Sequence, residues 1–138
     1  MRPAARRPDA VLAGLACSMR TFAAPAALAV RRRIAGRARV AVLLACAGEL
    51  VVDKLPAATD RFSPLLLGGR VAAGASSGGA IAGPAGIAAG AAGAFAGSYA
   101  TWQARRLAVE ATGLPDPVVA AAEDLLALAL AAAATRRG

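Results

Sequence analysis

The chain has 138 residues, 58% of them hydrophobic, with mean hydropathy +0.56, net charge +8 and pI about 11.4. That length suits one domain, and the apolar content is high for a water-soluble domain of this size. With no histidine, and no GxSxG, P-loop or metal-ligand spacing, neither an enzyme nor a bound metal or cofactor is expected. Lys54 is the only lysine; the other cations are arginines, clustered between apolar stretches rather than interleaved with aromatics. This pattern argues for membrane topology signals and against a nucleic-acid partner.

The N-terminus carries Arg2, Arg6 and Arg7 ahead of an apolar run over residues 10–19. It resembles the charged and apolar regions of a signal peptide, but Arg20 interrupts the run and no cleavage site stands out. A second apolar half, residues 21–30, contains Pro25. Each half is about 15 Å long as a helix, half a bilayer core. Residues 10–30 therefore suggest a broken or re-entrant segment. Its re-entry would keep the basic N-terminus and the cluster Arg31, Arg32, Arg33, Arg37 and Arg39 on one side.

Residues 40–55 form the next expected span. Nine uncharged residues, 40–48, put Glu49 about 13 Å along a helix from Val40, near the middle of a core about 30 Å thick. Asp53 follows one turn later, with Lys54 beside it, and Pro56 stops the helix. Asp60 and Arg61 sit in a polar turn. Asp53, Lys54, Asp60 and Arg61 are expected at the membrane interface.

Ser63-Pro64 opens a new helix, and residues 71–104 then run without a charge. Within them Gly79, Gly83, Gly86, Gly90, Gly93 and Gly97 recur at steps of four and three. On a helix this is one stripe of minimal side chains, which lets another backbone approach closely in lipid. The run exceeds one crossing, and Gly83-Pro84 is its natural break. Spans 64–82 and 87–104 are expected to pack as a glycine-zipper hairpin, with Arg70 lying awkwardly inside the first. A single long kinked helix is the competing arrangement. Gly113 and Pro117 bound a turn, and residues 117–135 form the last span, carrying Glu123 and Asp124. The whole reads as an all-α, single-domain transmembrane bundle of about four spans plus the broken segment, placed multi-pass in the bacterial inner membrane.

Several of these stretches resemble a known family. They are Ser18-Met19-Arg20-Thr21-Phe22, then Gly48-Glu49-Leu50-Val51-Val52-Asp53-Lys54-Leu55-Pro56, Asp60-Arg61, Gly97-Ser98-Tyr99 and Glu123-Asp124. Together they look like the small bacterial membrane-protein family of unknown function numbered 4126. The resemblance implies an integral membrane protein and no particular activity.

Charges at bilayer depth cost several kcal/mol unless paired or hydrated, so they usually face the bundle interior. Glu49, Glu123 and Asp124, with Arg20 as counter-charge and Glu49's expected partner, are the candidate polar site. Two functions follow. One is a small transporter or channel, alone or as a homo-oligomer, that uses these acids. The other is a structural or assembly protein whose acids only pair and fix helix packing. Cys17 and Cys46, each in an apolar run, read as core-filling residues. The lipid bilayer is the expected partner, and no substrate is named by any motif.

Overall fold

The computed structural model describes residues 6–31, 33–52 and 63–136. Among the described residues the chain is all-helical, with six helices and no strand. They are α1 (Arg7–Met19), α2 (Ala23–Val30), α3 (Gly36–Val52), α4 (Pro64–Ala82), α5 (Pro84–Thr112) and α6 (Asp116–Thr135).

The N-terminal segment is broken at Arg20, whose extended backbone (φ −139°, ψ 114°) ends α1. Pro25 does not make the break: it falls in the first turn of α2, where a missing N–H costs little. Ser63 caps α4, its Oγ accepting the Leu66 N–H at 3.3 Å. Gly83 alone joins α4 to α5, at φ 66° and ψ −154°, a region open essentially to glycine. Gly113, left-handed at φ 63°, ends α5. So residues 71–104 form a hairpin, and its second arm continues through Arg105 and Arg106 to Thr112, beyond the boundary at 104 that the sequence suggests.

The hairpin closes through glycine. A Cβ on Gly90 would strike the carbonyl of Gly74, and one on Gly86 would strike that of Gly78. Further along α5, a Cβ on Gly93 would lie 2.6 Å from the Val11 carbonyl oxygen, and one on Gly97 would lie 2.5 Å from Ser18 Oγ. One glycine row thus serves α4 first and α1 next. Two glycines of the expected stripe differ. Gly79 faces the flexible side chain of Ile87, and Gly83, the turn itself, has open space where a Cβ would be. Gly74 and Gly78 meet the α5 backbone, Gly79 meets an α5 side chain, and Gly83 lies past the end of α4.

α1 is the buried centre. Ala10, Ala13, Ala16, Cys17 and Met19 are all sealed, with α4, α5 and α6 packed around them. α2 rests on α6, α3 and α4, and α3 packs on α2. Outside this core the polarity inverts. Leu44 (68% exposed), Leu65, Phe95 and Leu125 (72%) point outward, while Asp9, Arg20, Arg70 and Asp124 are buried. Among the described residues one helix, Asp116–Thr135, is long and apolar enough to cross a membrane, where the sequence reading expects four such spans. α4 and α5 fall short through their glycine, alanine and serine content, with Arg70 adding to the loss in α4, and α3 is only 17 residues long.

Candidate functional site at the helix break

Breaking a helix exposes backbone groups that need partners. At Arg20 the chain supplies them from helices distant in sequence. The Arg20 side chain is 1% exposed. Its Nε and Nη2 meet the Asp124 carboxylate of α6, and its Nη1 donates to the Met19 carbonyl at 2.9 Å. Glu49, from α3, reaches the other side of the break. Its Oε1 accepts the Thr21 N–H at 2.7 Å and its Oε2 the Phe22 N–H at 3.0 Å. The carboxylate therefore sits at the N-terminal end of α2, where the helix dipole favours negative charge.

Three of the four candidate residues, Arg20, Asp124 and Glu49, thus converge, but with different pairing. Arg20 takes Asp124 as its partner, and Glu49 caps the broken backbone. The expectation that Glu49 pairs Arg20 is corrected here: Glu49 accepts the Thr21 and Phe22 N–H groups just ahead of α2, and Arg20 closes on Asp124. Glu123 does not join them. One residue along α6 is a rotation of about 100°, so Glu123 turns toward α5. There Arg105 Nη1 meets its Oε2 at 3.3 Å, while Arg105 Nε and Nη2 hold Asp116 at 2.8 and 2.5 Å. The interface charges Asp53, Lys54, Asp60 and Arg61 lie outside the described residues.

Two further groups are not singled out by the sequence. Asp9, in the first turn of α1, is 6% exposed, with its Oδ2 sealed from solvent. No signal marked it, since a carboxylate in a first turn is ordinary on any exposed helix. Arg105 and Asp116 flank the α5–α6 turn, and their opposite charges were the available clue. Among the described residues no group of three His, Cys, Asp or Glu side chains could hold a metal.

Chemically, the break is a compact set of two carboxylates and one guanidinium at the junction of four helices. It holds the Arg20 and Asp124 charges away from solvent. No known protein family, curated protein or solved structure matches the chain.

Proposed function

We propose that this protein is a small multi-pass protein of the bacterial inner membrane that moves an ion or small solute past a charged site at the broken α1–α2 segment. In this reading α3 to α6 span the bilayer and α1–α2 is re-entrant. The observation that carries it is the break at Arg20, with a buried Arg20–Asp124 pair on one side and Glu49 capping the part-buried Thr21 and Phe22 N–H groups on the other. Discontinuous helices whose half-helix ends hold charges are how many secondary transporters build their central sites. The inverted polarity, apolar outside and charged inside, supports a lipid surround. Both halves of the broken segment rest on α6, as a re-entrant pair would. The resemblance of residues 48–56 to the membrane family numbered 4126 agrees with this location and adds no activity.

The second reading is structural: the charges only pair and fix the packing. One observation favours it, namely that both oxygens of Glu49 already accept backbone N–H groups, as a structural cap would. Liposome reconstitution with pH- and ion-sensitive dyes separates the two. Transport predicts flux above protein-free liposomes that Glu49→Gln changes. A folded protein without flux supports the structural reading.

A further inference from the structure

A groove of about 270 Å³ runs between α2 and α6. Ala27 and Ala131 are among its small lining residues, while Val30 (62% exposed) and Leu128 (39%) add apolar bulk at the surface. Arg20, just before α2, pairs with Asp124, and Arg31, just after α2, lines the groove with Thr135. The two helices therefore run in the same direction and finish together. A space of this size takes a length of acyl chain, and it excludes a helix about 10–12 Å across.

The shared end of α2 and α6 is basic. Arg31 follows α2, the Arg33 N–H donates to the Leu28 carbonyl at 2.9 Å, and Arg136 follows Thr135 at the end of α6. Arg37 and Arg39 then open α3. Among the described residues no acid pairs with Arg31, Arg33 or Arg136. Each helix C-terminus offers about half a negative charge, so two helix ends do not neutralise three guanidiniums. Thr135 adds no polar opening, because its hydroxyl already donates to the Ala131 carbonyl at 3.0 Å. The groove is thus apolar along its length and positive at its end.

We propose that this groove holds one acyl chain of an anionic phospholipid, with the lipid phosphate among Arg31, Arg33 and Arg136. The inference rests on the membrane location proposed above and not on transport, so it would stand in a purely structural membrane protein. A zwitterionic phospholipid offers the same chain, but its own ammonium offsets its phosphate, and the guanidiniums favour the headgroup with net negative charge. Arginine also suits phosphate by geometry, since its planar fork donates to two oxygens at once. Basic pockets between helices at a cytoplasmic membrane face are where anionic headgroups bind, and clustered arginines mark that face. The bound lipid would tie the end of the re-entrant half to the last helix.

The test is tryptophan quenching in phosphatidylcholine liposomes that hold a minor fraction of one brominated lipid, either phosphatidylglycerol or phosphatidylcholine. In a Trp102→Phe background, Leu128→Trp reports on the groove and Phe95→Trp on the outer face of α5. At position 128, half-maximal quenching is expected at an about tenfold lower fraction of brominated phosphatidylglycerol than of brominated phosphatidylcholine. At position 95 the two lipids should act alike. Arg31→Gln with Arg136→Gln should remove the preference, and so should Ala132→Phe, which fills the groove. Inorganic phosphate at matched ionic strength should leave the preference intact; its loss would make this a free-phosphate site and overturn the proposal. Preference retained by either folded variant overturns it too. Equal quenching at 128 by both lipids overturns it and leaves the membrane location standing, whereas no quenching at either position by either lipid removes that location as well. Native mass spectrometry of the unaltered chain, released from mixed-lipid nanodiscs, makes the comparison without substitutions. Excess retained phosphatidylglycerol is expected there, and equal retention of the two lipids overturns the proposal.

Discussion

Arg20, at the break between α1 and α2, closes on Asp124 in α6, 104 residues further along the chain. Both are buried, so the pair links the N-terminal segment to the last helix through charge. Removing one partner of a buried pair leaves the other uncompensated, at a cost of about 3–5 kcal/mol. Asp124→Asn should therefore lower thermal stability in detergent by that order. Arg20→Met combined with Asp124→Leu should recover most of it. A double-mutant cycle reads the coupling directly.

Glu49 gives a separate prediction, because its partners are backbone. Glu49→Ala leaves the Thr21 and Phe22 N–H groups without their acceptor. Bonds from a backbone N–H to a charged group are worth about 1.5–3 kcal/mol. The expected result is a stability loss of that size and faster amide exchange at Thr21 and Phe22. The α4–α5 hairpin should keep its protection. Exchange that quickens evenly along the chain would point to general loosening and away from a cap.

How much of this was legible in the sequence depends on which dimension is asked about. Position along a helix was readable. Arg20 between two apolar halves marked the break, and the recurrent glycines of α5 marked a close contact. Azimuth was not readable, because it depends on how neighbouring helices are rotated. Glu49 and Asp124 both suit Arg20 in depth, and only the packing of α3 and α6 decides between them. Gly78 and Gly79 are adjacent, and only the packing shows that Gly78 meets the α5 backbone while Gly79 meets the Ile87 side chain. The extent of α5 was hidden for a different reason. Arg105 and Arg106 read as the end of a span, yet Arg106 pairs with Glu110 one turn on, and the helix continues.

The glycine row makes a steric prediction. Gly90→Leu would drive a side chain into the backbone of Gly74, which cannot swing aside. Overpacking of this kind typically costs about 1–3 kcal/mol, and more where backbone must move. Ala88→Leu, on the exposed face of the same helix, should change stability little. Detergent melting of the two variants side by side checks it. Equal melting temperatures would remove the row from the packing.

Gly83 makes a conformational one. Its φ of 66° with ψ of −154° is a region that side chains essentially forbid. Gly83→Ala has open space for its Cβ, so any loss comes from backbone alone. The expected cost is about 1–3 kcal/mol. Gly68→Ala, in α4 with equally open space, should be neutral or slightly stabilising, because alanine favours helix. Chemical denaturation of both variants supplies the comparison.

The central claim is that the outward apolar faces meet lipid while the charges turn inward. The chain has one tryptophan, Trp102, which stacks obliquely near Tyr99 and lies under Arg106 at 6.0 Å. Such an aromatic and arginine group on the outer face of α5 suits the membrane–water boundary. Quenching of tryptophan fluorescence by lipids brominated at different depths reads this in proteoliposomes. The account predicts that Trp102 is quenched best by shallow bromines. In a Trp102→Phe background, Leu44→Trp and Phe95→Trp should be quenched best by deep ones. Tryptophans at 44 and 95 that are quenched by aqueous iodide and untouched by every brominated lipid would contradict it.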